Sequence, residues 1–125
     1  MGIKFSKKTL KDKQETYLLQ TCEEHESSVN CLEISDDKSV IVTGSDDTNI
    51  RLWSTQTDMI ECIGLLEGHK DYITSLCIDG NYVFSSSADK TIRKWDMSSC
   101  ECVLILKGHD STVNKISNYF LLLIV

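Results

Sequence analysis

Apolar and polar residues alternate along short stretches of this chain, and polar turns separate the stretches. Val29–Ile34 alternates, the polar turn Asp36-Asp37-Lys38 follows, and a β-branched run resumes at Ser39–Thr43. A period of two is typical of strands that bury one face, and no stretch of useful length has the helical period. The strands predicted in this way are Val29–Ile34, Ser39–Thr43, Asn49–Trp53, Ile60–Leu66, Ile73–Ile78, Tyr82–Ser86, Thr91–Trp95 and Cys102–Leu106.

The predicted strands recur as a unit. Residues 25–53 read HESSVNCLEISDDKSVIVTGSDDTNIRLW, and residues 69–95 read HKDYITSLCIDGNYVFSSSADKTIRKW. His25, His69 and His109 are 44 and 40 residues apart, and Trp53 and Trp95 are 42 apart. A period of about 40–45 residues with a histidine at its start and a tryptophan at its end is the signature of a propeller blade. The fold class predicted is all-β, with antiparallel four-stranded blades.

The repeats divide the chain into five segments, and the last one is incomplete. The third unit opens with Gly108-His109 and has no tryptophan, so the chain holds about two and a half blades of an incomplete β-propeller. Because such a propeller cannot close, we expect a fragment or truncated product, or association of copies through the open blade faces. The segments are a basic, disordered arm (1–14), the outer strand of a neighbouring blade (15–24), the first repeat (25–66), the second repeat (67–107) and a truncated third repeat (108–125).

Charge is distributed unevenly along the 125 residues. Residues 1–13 carry a net charge of +4 and the remainder −10, for a total of −6. An acidic body argues against nucleic acid as a partner, since binding to phosphates needs a basic face. Proteins are therefore the expected partners. The seven apolar residues at the end, Tyr119–Val125, are too few for a membrane span of about 20.

Six cysteines invite a disulfide or zinc interpretation: Cys22, Cys31, Cys62, Cys77, Cys100 and Cys102. The polar N-terminus does not resemble a secretory signal, so a reducing, cytoplasmic location is expected. Cys31 and Cys77 occupy corresponding positions within apolar strands, where a thiol behaves as a small hydrophobe. No second ligand pair stands at finger-like spacing. We expect structural thiols, no metal and no cofactor.

These residues resemble the WD-repeat β-propeller family over residues 15–117. The resemblance is carried by Gly68-His69, by residues 87–96 (SADKTIRKWD) and by residues 44–54 (GSDDTNIRLWS). Glu24 and Ser54 depart from the usual glycine and aspartate, which leaves the fold assignment intact. The resemblance implies a hydrogen-bonded quartet in each repeat. By position the quartets are His25, Thr43, Asp47 and Trp53, then His69, Ser85, Asp89 and Trp95.

A His–Asp pair beside a hydroxyl could also be a hydrolase site. Recurrence at the same place in each repeat favours a buried polar network that rigidifies the blade. The chain lacks a glycine-rich phosphate loop, a nucleophile elbow and a ligand cluster. No catalytic residue is therefore expected, and Arg51 and Arg93, at matching places, are expected to pair with carboxylates.

The first residues, Met1-Gly2-Ile3-Lys4-Phe5-Ser6, fit the pattern for N-myristoylation of Gly2. A myristoyl chain alone binds membranes marginally and needs a second signal. The arm supplies lysines that favour an anionic, cytoplasmic membrane surface: Lys4, Lys7, Lys8, Lys11 and Lys13. A chance match in a soluble tail is the alternative.

The function expected is a non-enzymatic protein–protein interaction scaffold. Binding is expected at strand-end loops such as Lys70–Tyr72, with Tyr72 as the candidate anchor, because exposed aromatic residues concentrate binding energy. Tyr72 could instead pack against the next blade. One alternative is a ubiquitin-ligase substrate receptor, although Trp95-Asp96-Met97-Ser98 lacks the arginine of the adaptor motif and no F-box-like helix precedes the repeats. A truncated product without function is the other.

Overall fold

The computed structural model describes residues 2–11, 14–107 and 116, and its described elements are all strands. The strands form one two-stranded and two four-stranded antiparallel sheets. The described residues form no helix that is long and apolar enough to cross a membrane. In chain order the strands are β1 (Ile3–Lys11), β2 (Gln14–Cys22), β3 (Val29–Ile34), β4 (Val40–Ser45), β5 (Ile50–Ser54), β6 (Glu61–Leu66), β7 (Ile73–Asp79), β8 (Tyr82–Ser87), β9 (Ile92–Asp96) and β10 (Glu101–Leu106).

Each four-stranded sheet is one blade, in which strands consecutive in sequence are neighbours in space. The first blade has the order β3-β4-β5-β6, and the second has β7-β8-β9-β10. The sheets are open, and the incomplete propeller expected from the sequence is confirmed. Thr48 (φ 75°) and Lys90 (φ 71°) occupy the same position of the turn between the second and third strands. The repeats therefore match down to the backbone of their turns.

The two blades pack face to face around one apolar core. The first blade contributes Val42, Ile50 and Leu52, and the second contributes Val83 and Trp95, all almost completely buried. The backbones approach closely at Gly44, where a Cβ atom would lie 2.7 Å from Cγ2 of Ile73 in the next blade. Each large apolar side chain buried in this way contributes about 1.5–3 kcal/mol. Burial of these side chains therefore stabilises the packing of one blade against the other.

The N-terminal segment is a strand, whereas the sequence analysis predicted a disordered arm over residues 1–14. β1 pairs with β2 from Ile3↔Cys22 to Lys11↔Gln14. The reason is an alternation that the lysines obscure: Ile3 is half-buried, Lys4 is exposed and Phe5 is buried. One face of β1 is therefore apolar at this end, and it covers the first blade.

The β1–β2 hairpin lies against the open face of the first blade. Phe5 and Cys22 pack with Ile41, Trp53 and Ile60, and the rings of Phe5 and Trp53 are 5.6 Å apart. The side chain of Gln20 in β2 fixes the contact by bonding both backbone groups of Ile60, at 2.6 Å to the oxygen and 2.8 Å to the nitrogen. The segment 15–24, predicted as the outer strand of a neighbouring blade, thus flanks the first blade.

The predicted third repeat (108–125) lies outside the described residues except for Ile116. That side chain is buried against Cys77, Phe84 and Ile92, on the face of the second blade that points away from the first. Its backbone nitrogen lies 3.5 Å from Oγ of Ser75. The chain therefore begins to cover the outer face of the second blade at this point.

Candidate functional site

The first predicted quartet meets inside the first blade. Nδ1 of His25 lies 2.7 Å from Oδ2 of Asp47, and Nε2 lies 2.7 Å from Oγ1 of Thr43. Nε1 of Trp53 donates to the same Thr43 hydroxyl at 2.8 Å. Only 2% of His25 and none of Thr43 is exposed. The structure thus joins the top of the blade to its third strand through one buried chain of hydrogen bonds.

The second quartet repeats this geometry with serine in place of threonine. His69 lies 2.7 Å from Oδ2 of Asp89 and 2.7 Å from Oγ of Ser85, which accepts from Nε1 of Trp95 at 2.8 Å. Thr91 adds a contact that the sequence analysis missed, because its hydroxyl donates to Oδ1 of Asp89 at 2.6 Å. The first repeat has Asn49 at that position. Serine and threonine are interchangeable here since both supply one hydroxyl.

The direction of each hydrogen bond follows from the carboxylate and the indole. The carboxylate of Asp89 can only accept, so Nδ1 of His69 carries a proton and donates to it. In the neutral imidazole Nε2 is then an acceptor, so the hydroxyl of Ser85 donates to Nε2 and accepts from the indole of Trp95. The same logic applies to the first quartet. Each imidazole is therefore held in one tautomer.

The aspartates also tie two loops together. Oδ2 of Asp47 accepts from the backbone nitrogen of Glu26 at 3.0 Å, while Oδ1 accepts from that of Asn49 at 2.8 Å. In the second blade, Lys70 and Thr91 donate to Asp89 in the same way, at 3.0 and 2.9 Å. Each carboxylate thus fixes the loop that carries its histidine against the turn that carries itself.

The pKa values of the second quartet agree with a neutral histidine beside a carboxylate. Burial lowers the pKa of His69 and outweighs the hydrogen bond and charge of Asp89, which raise it. Burial also raises the pKa of Asp89, but the hydrogen bonds from Thr91, Lys70 and His69 prevail and hold it well below its usual range. For Asp47, burial is likewise outweighed by hydrogen bonds from Asn49, His25 and Glu26, so its pKa is lowered.

The arrangement stabilises the blade and leaves no reactive group open to a substrate. Oγ of Ser85 belongs to a fully buried residue and already accepts from one ring and donates to another. A nucleophile needs access to the atom that it attacks and a base free to take its proton. Neither condition is met at the quartets. A buried polar network with every member bonded rigidifies the fold that contains it.

Within the described residues, Arg51 and Arg93 do not form the carboxylate pairs that the sequence analysis predicted. Among the described residues, Arg51 donates from Nη1 to Sγ of Cys62 at 3.6 Å. The guanidinium of Arg93 lies 5.8 Å from the ring centroid of Trp95. The Nε atoms of both arginines are buried without a hydrogen-bond partner in the described part of the chain. Their matching positions therefore reflect packing on the third strand of each blade.

The other predicted site residues lie apart from the quartets. Gly2 is exposed at the start of the hairpin. Tyr72 is 43% exposed in the loop before β7, and its backbone oxygen accepts from Ser87 and Ala88. The six cysteines are free thiols, and burial raises the pKa of Cys31 to about 12. The described ranges contain no group of three or more residues arranged to hold a metal ion.

Comparison with known proteins gives a consistent family. The WD-repeat family, described as "WD domain, G-beta repeat", matches residues 16–54 and 60–96. The F-box/WD repeat-containing protein sel-10 of Caenorhabditis elegans is 36% identical over 81 residues, covering 64% of this chain and 14% of that protein. Mitochondrial division protein 1 of Candida glabrata is 29% identical over 108 residues, covering 79% of this chain and 15% of that protein. The solved structure of U3-55K superimposes with a TM-score of 0.66 at 26% identity, over 73% of this chain and 30% of that one.

The family profile covers more than half of the chain, and the chain therefore belongs to the WD-repeat family. Proteins of this family generally act as scaffolds that bind other proteins. The chain spans about one seventh of the length of the curated relatives named above.

Proposed function

We propose that this chain is part of a non-enzymatic protein–protein interaction scaffold at the cytoplasmic face of a membrane. The observation that carries this proposal is the use of the quartets: both histidines, both aspartates and both hydroxyls are bonded to one another inside the blades. These polar side chains therefore serve to make the blades rigid. What remains for function is the surface of loops and turns that rigid blades present.

Tyr72 is the candidate anchor on that surface. It combines 43% exposure with a backbone fixed by hydrogen bonds from Ser87 and Ala88, and such rigid aromatic residues are frequent hot spots. The test is quantitative capture from lysate with the full chain, wild type against Tyr72→Ala. Tyr82→Ala is the matched control, since Tyr82 is 37% exposed at the opposite end of the blade. Partners lost with Tyr72→Ala alone support the anchor, and identical capture profiles for all three proteins contradict it.

Membrane attachment would depend on myristoylation of Gly2. The glycine is exposed, and Lys4 beside it is exposed on the face of β1 opposite Phe5. Each lysine near an anionic leaflet contributes about 1 kcal/mol, which supplements the marginal binding of one acyl chain. The test is co-expression with the transferase, intact mass, and flotation with vesicles containing phosphatidylserine. A myristoyl mass increment and flotation that Gly2→Ala abolishes are expected. An unmodified Gly2 in the wild-type chain would refute the attachment.

A ubiquitin-ligase substrate receptor is the second candidate. Its support is the similarity to an F-box/WD repeat-containing protein, of which this chain covers 14%. The sequence after Trp95 counts against it, because Asp96-Met97-Ser98 lacks the arginine expected for adaptor docking. Co-purification of ligase subunits with the full chain would favour this role over a general scaffold.

Self-association through open blade faces is a further proposal for the isolated chain. Its support is the fourth strand of the second blade, β10, where Val103, Leu104 and Ile105 are 51%, 38% and 39% exposed. The molar mass in solution at micromolar concentration is the test. A monomer with a cooperative thermal transition would contradict self-association.

A further inference from the structure

A groove of about 460 Å³ lies between the two blades, at the ends of β3 and β7. The histidines and aspartates of the quartets lie in the loops at the other ends of these strands. Its size falls within the range of about 300–1,000 Å³ found for ligand sites. The lining residues used below are Asp36, Asp37, Val40, Ile78, Asn81 and Met97.

The floor of the groove is apolar and firmly supported. Val40, Ile78 and Met97 are half-buried and pack against the core between the blades. The cluster beneath them consists of almost fully buried residues, among them Leu52 and Trp95. A floor with such support keeps its shape when a ligand binds, so little ordering cost arises. It suits an aliphatic chain.

The polar side chains at the rim of the groove form hydrogen bonds with one another and with the turns. Oδ1 of Asp37 accepts from Oγ of Ser35 at 2.8 Å and from the nitrogen and hydroxyl of Ser39 at 2.9 and 2.7 Å. These bonds, those from Ser39 first, lower the pKa of Asp37 to about 2. The amide of Asn81 is bonded to Asp96 and Ser98. The serines and Asn81 are thus committed to the turns.

Asp36 differs from its neighbour because it is exposed and makes no hydrogen bond within the part of the chain that the structure describes. It also borders an adjoining depression, together with Glu33 and Ile78. Neither cavity has a lysine or arginine among its described lining residues. Three carboxylates, those of Glu33, Asp36 and Asp37, therefore border this region.

We propose that this groove binds an arginine side chain presented by an extended segment of a partner protein. The guanidinium pairs with Asp36, whose two free oxygens match its planar fork, and Asp37 supplies a second negative charge. The aliphatic stem lies on Val40, Ile78 and Met97. The groove exceeds one side chain in volume, so part of the flanking backbone enters as well. The inference deepens the proposed scaffold role by naming the partner's chemistry.

The test is titration of the ¹⁵N-labelled full chain with two peptides, acetyl-Gly-Ser-Arg-Ser-Gly-amide and its citrulline analogue. Citrulline keeps the shape of arginine and removes its charge. Because citrulline keeps neutral hydrogen bonds and loses only the charge that strengthens them, we expect binding about tenfold weaker for citrulline. Asp36→Asn should weaken the arginine peptide by a similar factor. Asp58→Asn removes the same charge from an exposed loop outside the groove and should change little.

Chemical shift changes should concentrate at residues 35–40, 78–81 and 97. Equal affinity of the two peptides, or equal weakening by the Asp36 and Asp58 variants, would overturn the proposal by reducing it to bulk attraction of charges. Shift changes confined to the loop of Tyr72 would overturn it as well. Because partner capture through Tyr72 is measured separately, loss of the groove proposal leaves the scaffold proposal standing, and the reverse also holds.

Discussion

The hydroxyl of Thr43 is the shared partner of two buried rings, so its removal tests the role of the quartets. Thr43→Val keeps the shape of the side chain and leaves Nε1 of Trp53 and Nε2 of His25 without a partner. A buried polar group left unsatisfied costs about 1–3 kcal/mol. We therefore expect the free energy of unfolding to fall by about 2–6 kcal/mol, a large part of the total of about 5–15 kcal/mol typical of a domain.

Thr43→Ser is the control for this change, and the second repeat already uses serine at the same place. It removes one methyl group and keeps the hydroxyl, so a loss of about 1 kcal/mol is expected. Urea unfolding followed by tryptophan fluorescence compares the variants, provided that the slope of the transition stays constant.

A double-mutant cycle sharpens the result. Trp53→Phe removes the indole donor, so in the double variant with Thr43→Val only His25 remains unsatisfied. The double variant should then lose less free energy of unfolding than the sum of the losses of the two single variants, by about 1–3 kcal/mol. Equal stability of the valine and serine variants, or strict additivity in the cycle, would refute the role assigned to the hydroxyl.

Three further predictions concern packing and pH. Phe5→Ala removes the ring that covers Trp53 and should cost about 3–5 kcal/mol in unfolding experiments, with a red shift of tryptophan emission. Gly64→Ala places a Cβ atom 2.7 Å from Sγ of Cys100 and should cost about 1–3 kcal/mol in the same assay. Because the folded-state pKa of His69 is lowered from 6.5, the unfolded chain takes up this proton first, and the urea midpoint should fall as the pH decreases below about 6.5.

Each of these predictions has a contradicting result. Ile63→Ala, at a residue 54% exposed, is the control for Phe5→Ala, and an equal effect of the two would contradict the capping role of the hairpin. Cys100→Gly should rescue Gly64→Ala, because it removes the clashing sulfur and relieves a residue at φ 59°. Absence of rescue would exclude that clash as the cause. A urea midpoint that rises between pH 7 and 5.5 would contradict a neutral His69.

The blades could be predicted from the sequence because both the period of two and the 40–45-residue repeat are local patterns. The eight quartet residues could be located because the resemblance to WD repeats implies a quartet in each repeat and assigns its members by position. The ends of the strands were predicted less accurately: the second strand was predicted to end at Thr43, yet β4 continues to Ser45. That extension depends on pairing with the neighbouring strands, which the local sequence does not encode.

Features that depend on contacts between units could not be predicted. Five lysines among the first 13 residues indicated a disordered arm, while the strand depends on Phe5 finding Trp53 in a blade 48 residues away. Carboxylates were predicted as partners of Arg51 and Arg93 because they are numerous in the sequence, whereas among the described residues Arg51 bonds a thiol and Arg93 lies near an indole ring. The groove beside Asp36 exists only where two blades meet, so neither repeat alone reveals it.

The most direct test of the quartets as internal supports of the blades is the protonation of their imidazoles. Two-bond ¹⁵N–¹H correlation spectra of the full chain at pH 7 would report the tautomers of His25 and His69. The account predicts that both rings carry the proton on Nδ1, with slowly exchanging signals, because Nε2 accepts from a buried hydroxyl. Protons on Nε2, or rapid exchange with solvent, would contradict this account. The two histidines would then again be candidates for reactive groups.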